Sequence, residues 1–181
     1  MNRIQIYTGE GKGKTTAALG LLMRFLGSGG QAVLVQFDKG AGVDDFYGER
    51  RIFPLLPGLT HHATGLVRFV PARGTFRFQN IPGDFTEAKR GLELAHQAME
   101  SGAGLVVLDE ILSLLLTGLI EEAAIEELLD HYEKLGRPCE LVLTGHKIFQ
   151  ALEQRVDLIT RMEKLKHYFD QGEPARKGIE F

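Results

Sequence analysis

The sequence predicts an α/β fold, a mostly parallel β-sheet flanked by helices on both faces. Three observations carry that expectation. Short apolar runs such as Ile4–Tyr7, Ala32–Phe37 and Leu105–Leu108 alternate with longer amphipathic segments. These runs are apolar almost throughout, as strands covered on both faces must be. A glycine-rich stretch, Thr8-Gly9-Glu10-Gly11-Lys12-Gly13-Lys14-Thr15-Thr16, joins the first run to the first amphipathic segment. The chain has 181 residues, 44% of them hydrophobic, which suffices for one domain, residues 1–181, with a real core.

Taken in order, Ile4–Tyr7 reads as a strand and Lys14 to Leu26 as a helix, stopped by Gly27-Ser28-Gly29-Gly30. Ala32–Phe37 follows as the second strand. Residues 38–83 carry Gly or Pro at 40, 42, 48, 54, 57, 58, 65, 71, 74, 82 and 83, and no regular element is assigned there. Asp84 to Met99 is a helix with an acid at its start, and Leu105–Leu108 is a third buried strand. Glu121 to Leu135 is a helix stopped by Gly136 and Pro138, Glu140–Leu143 is a strand, and Lys147–Gln154 is helical.

The glycine-rich turn between strand and helix has the form of a phosphate cradle. Glycines 9, 11 and 13 allow successive backbone N–H groups to point at an anion, and the positive end of the helix adds to their field. Lys14 would reach the terminal phosphates and the Thr15 hydroxyl would take a position on a bound Mg²⁺. Aligned on Gly13-Lys14-Thr15, the pattern G-x-x-x-x-G-K-[ST] asks for glycine at position 8 and meets Thr8, so the loop is a variant. Lys12 and Lys14 repel each other unless a polyanion lies between them. The third strand ends in Asp109-Glu110, acids suited to a magnesium site or a reacting water. In a parallel sheet all carboxyl ends share one edge, so residues 8–16, 36–40, 109–110, 144–147 and 160–167 should converge on one crevice, with Gln36, Lys39, Thr144, His146 and Lys166 on its rim.

Composition narrows the alternatives. A net charge of −3 without a Lys/Arg stripe argues against a nucleic-acid partner. The apolar stretch Ile111–Ile120 is too short to span a membrane, and the start Met1–Ile6 leads into a strand without a leader, so a cytoplasmic location is expected. The single cysteine, Cys139, excludes an intrachain disulfide and reads as a core residue. His61 and His62 would face opposite sides of an extended segment, and His96 and His131 fall on separate helices, so the histidines form no metal site. Leu112, Leu114, Leu115, Leu116, Leu119 and Ile120 read as core, with a dimer interface as a second reading.

The stretch Tyr7–Ala18, with Thr at the first loop position, resembles the variant loop of the P-loop type ATP:corrinoid adenosyltransferases. Further matching residues are Arg24, Val35-Gln36-Phe37-Asp38-Lys39-Gly40, Gly48-Glu49-Arg50, Ala63-Thr64-Gly65, Val107-Leu108-Asp109-Glu110, Leu143-Thr144-Gly145, Lys166-His167-Tyr168-Phe169-Asp170-Gln171-Gly172, Ala175 and Gly178-Ile179-Glu180. The resemblance implies a P-loop NTPase-like (RecA-like) fold. It also implies transfer of the 5′-deoxyadenosyl group of ATP to the cobalt(I) of a reduced corrinoid, with release of triphosphate. By the same resemblance Thr8, Gly9, Glu10, Gly11, Lys12, Gly13, Lys14, Thr15 and Thr16 hold the polyphosphate and Arg24 contacts the nucleotide. His167 and Phe169 help form the corrinoid pocket, and Thr15 with Asp109 or Glu110 holds Mg²⁺ (or Mn²⁺). Lys14, Thr15 and Glu110 are the catalytic candidates. Glu10 stands where the family often has Asn, and is expected to turn outward from a phosphate. Leu66, Val67, Arg68 and Phe69 stand where the family usually carries aromatics near the corrin. The chain has no flavin or iron–sulfur motif, so a separate electron donor such as a flavoprotein is implied, and a homodimer is expected. An ordinary P-loop ATPase or small-molecule kinase, or a non-catalytic ATP- or corrinoid-binding module, are the other readings of the loop and the acids.

Overall fold

The computed structural model describes residues 2–40, 47–70, 75–77 and 79–180, and the side chains of residues 69, 70, 75 and 76 are left aside. Gly42, Pro71 and Gly74, expected in irregular backbone, lie outside the described residues. The elements are β1 (Ile4–Thr8), α1 (Lys14–Gly27), β2 (Ala32–Gln36), β3 (Leu59–Ala63), β4 (Phe69–Val70), β5 (Thr75–Phe76), α2 (Pro82–Glu100), β6 (Leu105–Asp109), α3 (Ser113–Thr117), α4 (Glu122–Lys134), β7 (Glu140–Thr144), α5 (Gln150–Glu153) and β8 (Leu158–Arg161). Short 3₁₀ turns cover Gly48–Arg51, Phe53–Leu55 and Tyr168–Gln171.

Six strands form one sheet in the order β3-β2-β6-β7-β1-β8, every pair parallel. Parallel neighbours need crossovers; α1, α2 and α4 lie in three of the connections, while the described part of the one from β2 to β3 carries the two 3₁₀ turns Gly48–Arg51 and Phe53–Leu55. Alternate residues of the central strands face two cores. Ile4, Ile6, Val33, Val35, Val106, Leu108, Leu141 and Leu143 pack under α2 and α4, which contribute Ala88, Ala95, Met99, Ile125, Leu128 and Tyr132. Ala32, Leu34, Leu105, Val107 and Val142 pack on the other face under Ala18 and Leu22 of α1 and under Phe53. Helices on both faces are therefore confirmed, as is the placing of Cys139 in the core, where burial pushes its thiol up to about 12. A thiol so held offers no thiolate for chemistry near neutral pH.

Three sequence expectations are revised. The region 38–83 contains β3, a full member of the sheet, besides the β4–β5 pair. Its Leu-Thr-His-His-Ala lacks an apolar run because β3 is an edge strand, half-buried, with His61 and His62 on opposite faces. The helix expected over 147–154 shrinks to Gln150–Glu153, because Phe149 is extended (φ −138°, ψ 159°) and fixes its start. The leucine run 112–120 is mostly core: Leu112, Leu114, Leu115 and Leu119 are buried, whereas Leu116 is 66% exposed.

The strand register delivers the polar residues to one edge. α2 carries part of that edge: Asp84 accepts the backbone N–H of Ile81 at 2.8 Å, which caps the helix, and takes both guanidinium arms of Arg77 at 2.6 and 2.9 Å. Gly91 faces the Phe37 ring so closely that a Cβ there would lie 2.5 Å from Cε1. Phe37 is fully buried and cannot swing aside. Gly91→Ala is expected to destabilise the fold by about 1–3 kcal/mol, the usual cost of overpacking, as measured by urea denaturation.

Candidate active site

The loop between β1 and α1 is shaped by its neighbours as much as by its own glycines. Gly9 (φ +106°) and Gly13 (φ +118°) occupy backbone conformations that favour glycine. The chain leaving β8 packs directly on the loop: the Gly11 N–H donates to the Met162 carbonyl at 2.8 Å, and the Met162 N–H donates to the Thr8 carbonyl at 2.7 Å. A Cβ at Gly9 would sit 2.3 Å from the Met162 carbonyl oxygen, and one at Gly11 2.8 Å from the Glu163 carbonyl carbon. Two of the three glycines are thus required by this buttress. Thr8, the variant position, is buried and its hydroxyl donates to the His146 carbonyl at 3.2 Å. α1 opens with no acidic residue in its first turn, which leaves its positive end unneutralised. Lys14 is buried beneath the loop and its ammonium donates to the carbonyls of Gly9 and Gly11 at 2.8 and 3.0 Å. Burial pushes its pKa below the ordinary lysine value, against the charges of Glu110 and Glu10.

Asp109, at the end of β6, lies at the centre. Its side chain is fully buried. Oδ1 accepts the hydroxyls of Thr15 at 2.9 Å and Thr144 at 2.8 Å, and Oδ2 accepts the Gln36 amide at 3.4 Å. Burial pushes its carboxyl above the usual carboxylate range, and the ammonium of Lys39 works against that rise. Lys39 responds in turn: burial opposes its charge, but Asp109, Glu110, Tyr47 and Glu49 together outweigh burial and hold its pKa above the ordinary value. Asp109 stands against Thr15 of the loop although β7 runs between β6 and β1, and Thr144 at the end of β7 bonds the same carboxylate oxygen. Thr144 also accepts the backbone N–H of Glu110 at 2.8 Å. Glu110 has a left-handed backbone (φ 65°), rare outside glycine. Its carboxylate accepts the Ser113 hydroxyl, which also contacts His146 Nδ1 at 3.0 Å.

A cleft of about 450 Å³ opens beside the loop, lined by Lys12–Thr16, Leu19, Lys39, Tyr47, Gly48, Glu49, Glu110 and Gly178–Glu180. Of the candidate site residues, Lys12, Gly13, Lys14, Thr15, Thr16 and Glu110 line it together. Glu10 is exposed. Gln36 and Thr144 reach Asp109 from the rim, while Lys166 is exposed and is not among the described residues that line the cleft. Arg24 stands apart: it lies exposed near the far end of α1, about 15 Å along the axis from Lys14, where its charge acts on Tyr7. His167 and Phe169 belong to the C-terminal turn. His167 Nδ1 accepts the Phe169 N–H at 3.1 Å, and Phe169 is 68% exposed. Neither lines the cleft. Sequence reasoning missed Tyr47 and the tail as walls. Tyr47 lies 5.1 Å from the Lys39 ammonium and 4.7 Å from the Arg50 guanidinium across its ring. Gly48-Glu49-Arg50 and Gly178-Ile179-Glu180 were visible as matching segments, but nothing local placed them at the loop.

Thr15 and Asp109 present hard oxygens to one point, which suits Mg²⁺ or Mn²⁺. Among the described residues no group of three or more His, Cys, Asp or Glu could hold a metal ion. Among the described residues no helix is long and apolar enough to cross a membrane.

The variant loop, the buried acid two strands away and the parallel order define a P-loop nucleotide-binding protein of RecA-like fold. A KaiC-like protein of Pyrococcus horikoshii shares that fold at 18% identity, with a TM-score of 0.55 over 88% of this chain and 71% of that one. More particularly, the chain belongs to the family ATP:corrinoid adenosyltransferase BtuR/CobO/CobP, whose model matches residues 1–181. A corrinoid adenosyltransferase of Pseudomonas aeruginosa is 31% identical, covering 97% of this chain and 82% of the relative. One from Sinorhizobium sp is 32% identical over 98% of this chain and 79% of the relative. One from Escherichia coli is 29% identical over 98% of this chain and 85% of the relative.

Thr144→Val keeps the shape of the side chain but removes its donor to Asp109 and its acceptor for Glu110. Two buried or half-buried polar groups lose a partner, so a loss of about 1–3 kcal/mol is expected in urea denaturation.

Proposed function

We propose that this chain transfers the 5′-deoxyadenosyl group of ATP to the cobalt(I) of a reduced corrinoid and releases triphosphate, in adenosylcobalamin biosynthesis or salvage. The observation that carries the proposal is the full-length family match, and it is supported by a glycine-rich loop whose Lys14 bonds the Gly9 carbonyl and whose Thr15 bonds Asp109. In the reaction the cobalt electron pair attacks the 5′ carbon, the carbon–cobalt bond forms, and the bond from that carbon to the triphosphate oxygen breaks with its electron pair. Cobalt(I) is nucleophilic enough to need no general base. The protein's task is placement of the carbon against cobalt and stabilisation of charge on the departing polyphosphate.

This chain's groups suit that task. The start of α1 and the loop amides other than that of Gly11, whose N–H is taken by the Met162 carbonyl, would face the anion. Lys14 exchanges its loop carbonyls for phosphate oxygens, and Lys39, kept charged by Asp109 and Glu110, adds a second cation to the cleft. Thr15 and Asp109, with Glu110 at the rim, would hold Mg²⁺ or Mn²⁺, which supplies charge neutralisation on the polyphosphate. His167 and Phe169 are assigned by resemblance to the corrinoid side. A separate reductant, such as a flavoprotein, would deliver the electron to cobalt, and a cytoplasmic homodimer is part of the same reading.

Anaerobic incubation with MgATP and chemically reduced cobalamin should produce a light-sensitive alkylcobalamin spectrum and stoichiometric triphosphate. ADP and phosphate without a spectral change would leave the nucleotide site and overturn the transfer. In the same assay Lys14→Ala should lower kcat/KM by about 100-fold or more, the scale of one lost charge-stabilising donor.

A further inference from the structure

The two lysines of the loop are divided between different tasks. Lys14 lies inside, on the carbonyls of Gly9 and Gly11. Lys12 points outward, and its ammonium donates to the Ile179 carbonyl at 3.0 Å and to Glu180 Oε1 at 3.1 Å. Both acceptors belong to the tail, and Gly178, Ile179 and Glu180 line the cleft that the loop itself lines. An isolated exposed ion pair contributes little. Glu180 is more than that: it also accepts the Tyr168 hydroxyl, the Arg176 backbone N–H at 2.7 Å and the Arg176 guanidinium at 3.4 Å. That guanidinium lies 4.5 Å over the Tyr168 ring. The Tyr168 hydroxyl foremost, then Arg176 and Lys12, hold the Glu180 carboxyl well below the usual carboxylate range, so it stays ionised near neutral pH. The tail closes on itself through Ile179 and Glu180 N–H groups donating to the Arg176 carbonyl at 3.2 and 3.0 Å.

We propose that Lys12 and Glu180 latch the segment Arg176–Glu180 to the phosphate loop, so that this strap forms the outer wall of the nucleotide cleft and Glu180 is a positioning residue for ATP. Lys12 then acts on the nucleotide through the strap, in contrast to Lys14, which meets the phosphates directly. Ile179, 57% exposed, supplies an apolar surface beside the cleft against which a nucleoside can rest. The inference rests on the reading of the cleft as an ATP site.

The test uses the full chain and MgATP. Lys12→Gln and Glu180→Gln should each weaken MgATP binding in titration calorimetry by about tenfold, the scale of one charge-assisted hydrogen bond. The double variant should be no weaker than either single one, because both remove the same latch. Lys12→Arg, which can still bridge two acceptors, should restore binding to within about twofold of the original. In steady state Glu180→Gln should raise KM for ATP far more than it lowers kcat. MgATP should also slow tryptic cleavage after Arg176 and Lys177 in the unaltered protein, and not in Glu180→Gln. Additive losses, or a Lys12→Gln loss much larger than that of Glu180→Gln, would assign Lys12 to the phosphates and overturn the latch. Cleavage insensitive to MgATP in a protein that binds it would do the same. Failure of the unaltered protein to bind MgATP at all would instead overturn the ATP reading on which the latch depends.

Discussion

The site depends on one buried carboxylate. Asp109 is fully removed from solvent, and an ionised carboxylate in that position is costly unless donors and a counter-charge surround it. Thr15, Thr144 and Gln36 supply the donors and Lys39 the counter-charge. Each comes from a different part of the fold: the start of α1, the end of β7, the end of β2 and the loop beyond it. The requirement to satisfy this one group therefore sets the relative positions of four segments around the cleft. It extends outward too, since Gln36 Oε1 accepts from Arg50 Nε at 3.2 Å and meets His61 Nε2 at 3.1 Å. Arg50 in turn donates to the Lys39 and Gly40 carbonyls at 3.0 and 3.4 Å, so the wall that carries Tyr47 is tied to the same centre.

A second network holds the segment that follows β3. Asp38 has a left-handed backbone (φ 49°), and Gly65 approaches it so closely that a Cβ would lie 2.5 Å from the Asp38 Cα. The Lys39 N–H donates to the Thr64 carbonyl at 2.9 Å, and the Gly65 N–H donates to Glu87 at 3.1 Å. Arg68 Nε lies 2.9 Å from both Asp38 carboxylate oxygens, and Arg77 grips Asp84 at the start of α2. Leu66 and Val67 thus stand between two polar anchors, the Gly65 N–H on Glu87 and the Arg68 guanidinium on Asp38.

Edge strands complete the arrangement. Among the described residues β8 has no partner on one side, and it is exposed along its length, yet it is held in register by Asp157, which accepts the Ile4 N–H at 2.8 Å and pairs with Arg3 and Arg137 at 3.0 Å each. Beyond β8, Met162 and Glu163 press on the loop glycines. The same edge thus shapes the loop and leads the chain toward the tail that meets Lys12 from the other side.

By itself the sequence determined the class of fold, the buried strands β1, β2, β6 and β7, the helices α1, α2 and α4, and the residues of the phosphate loop. These are local properties: apolar periodicity is read within one element, and glycines between a strand and a helix act on their own backbone. The acids Asp109 and Glu110 were legible for the same reason, as polar residues at the end of an apolar run. The tertiary structure alone decided the rest. β3 and β8 lack an apolar signature because edge strands bury less side-chain surface. Thr144 acquired its role only because β7 lies between β6 and β1, and Arg24 was carried away from the cleft by the rise of α1. The outward turn of Lys12 and the return of Glu180 to the loop join residues at opposite ends of the chain. Such contacts are set by the whole sheet and its crossovers, and no window of sequence contains them.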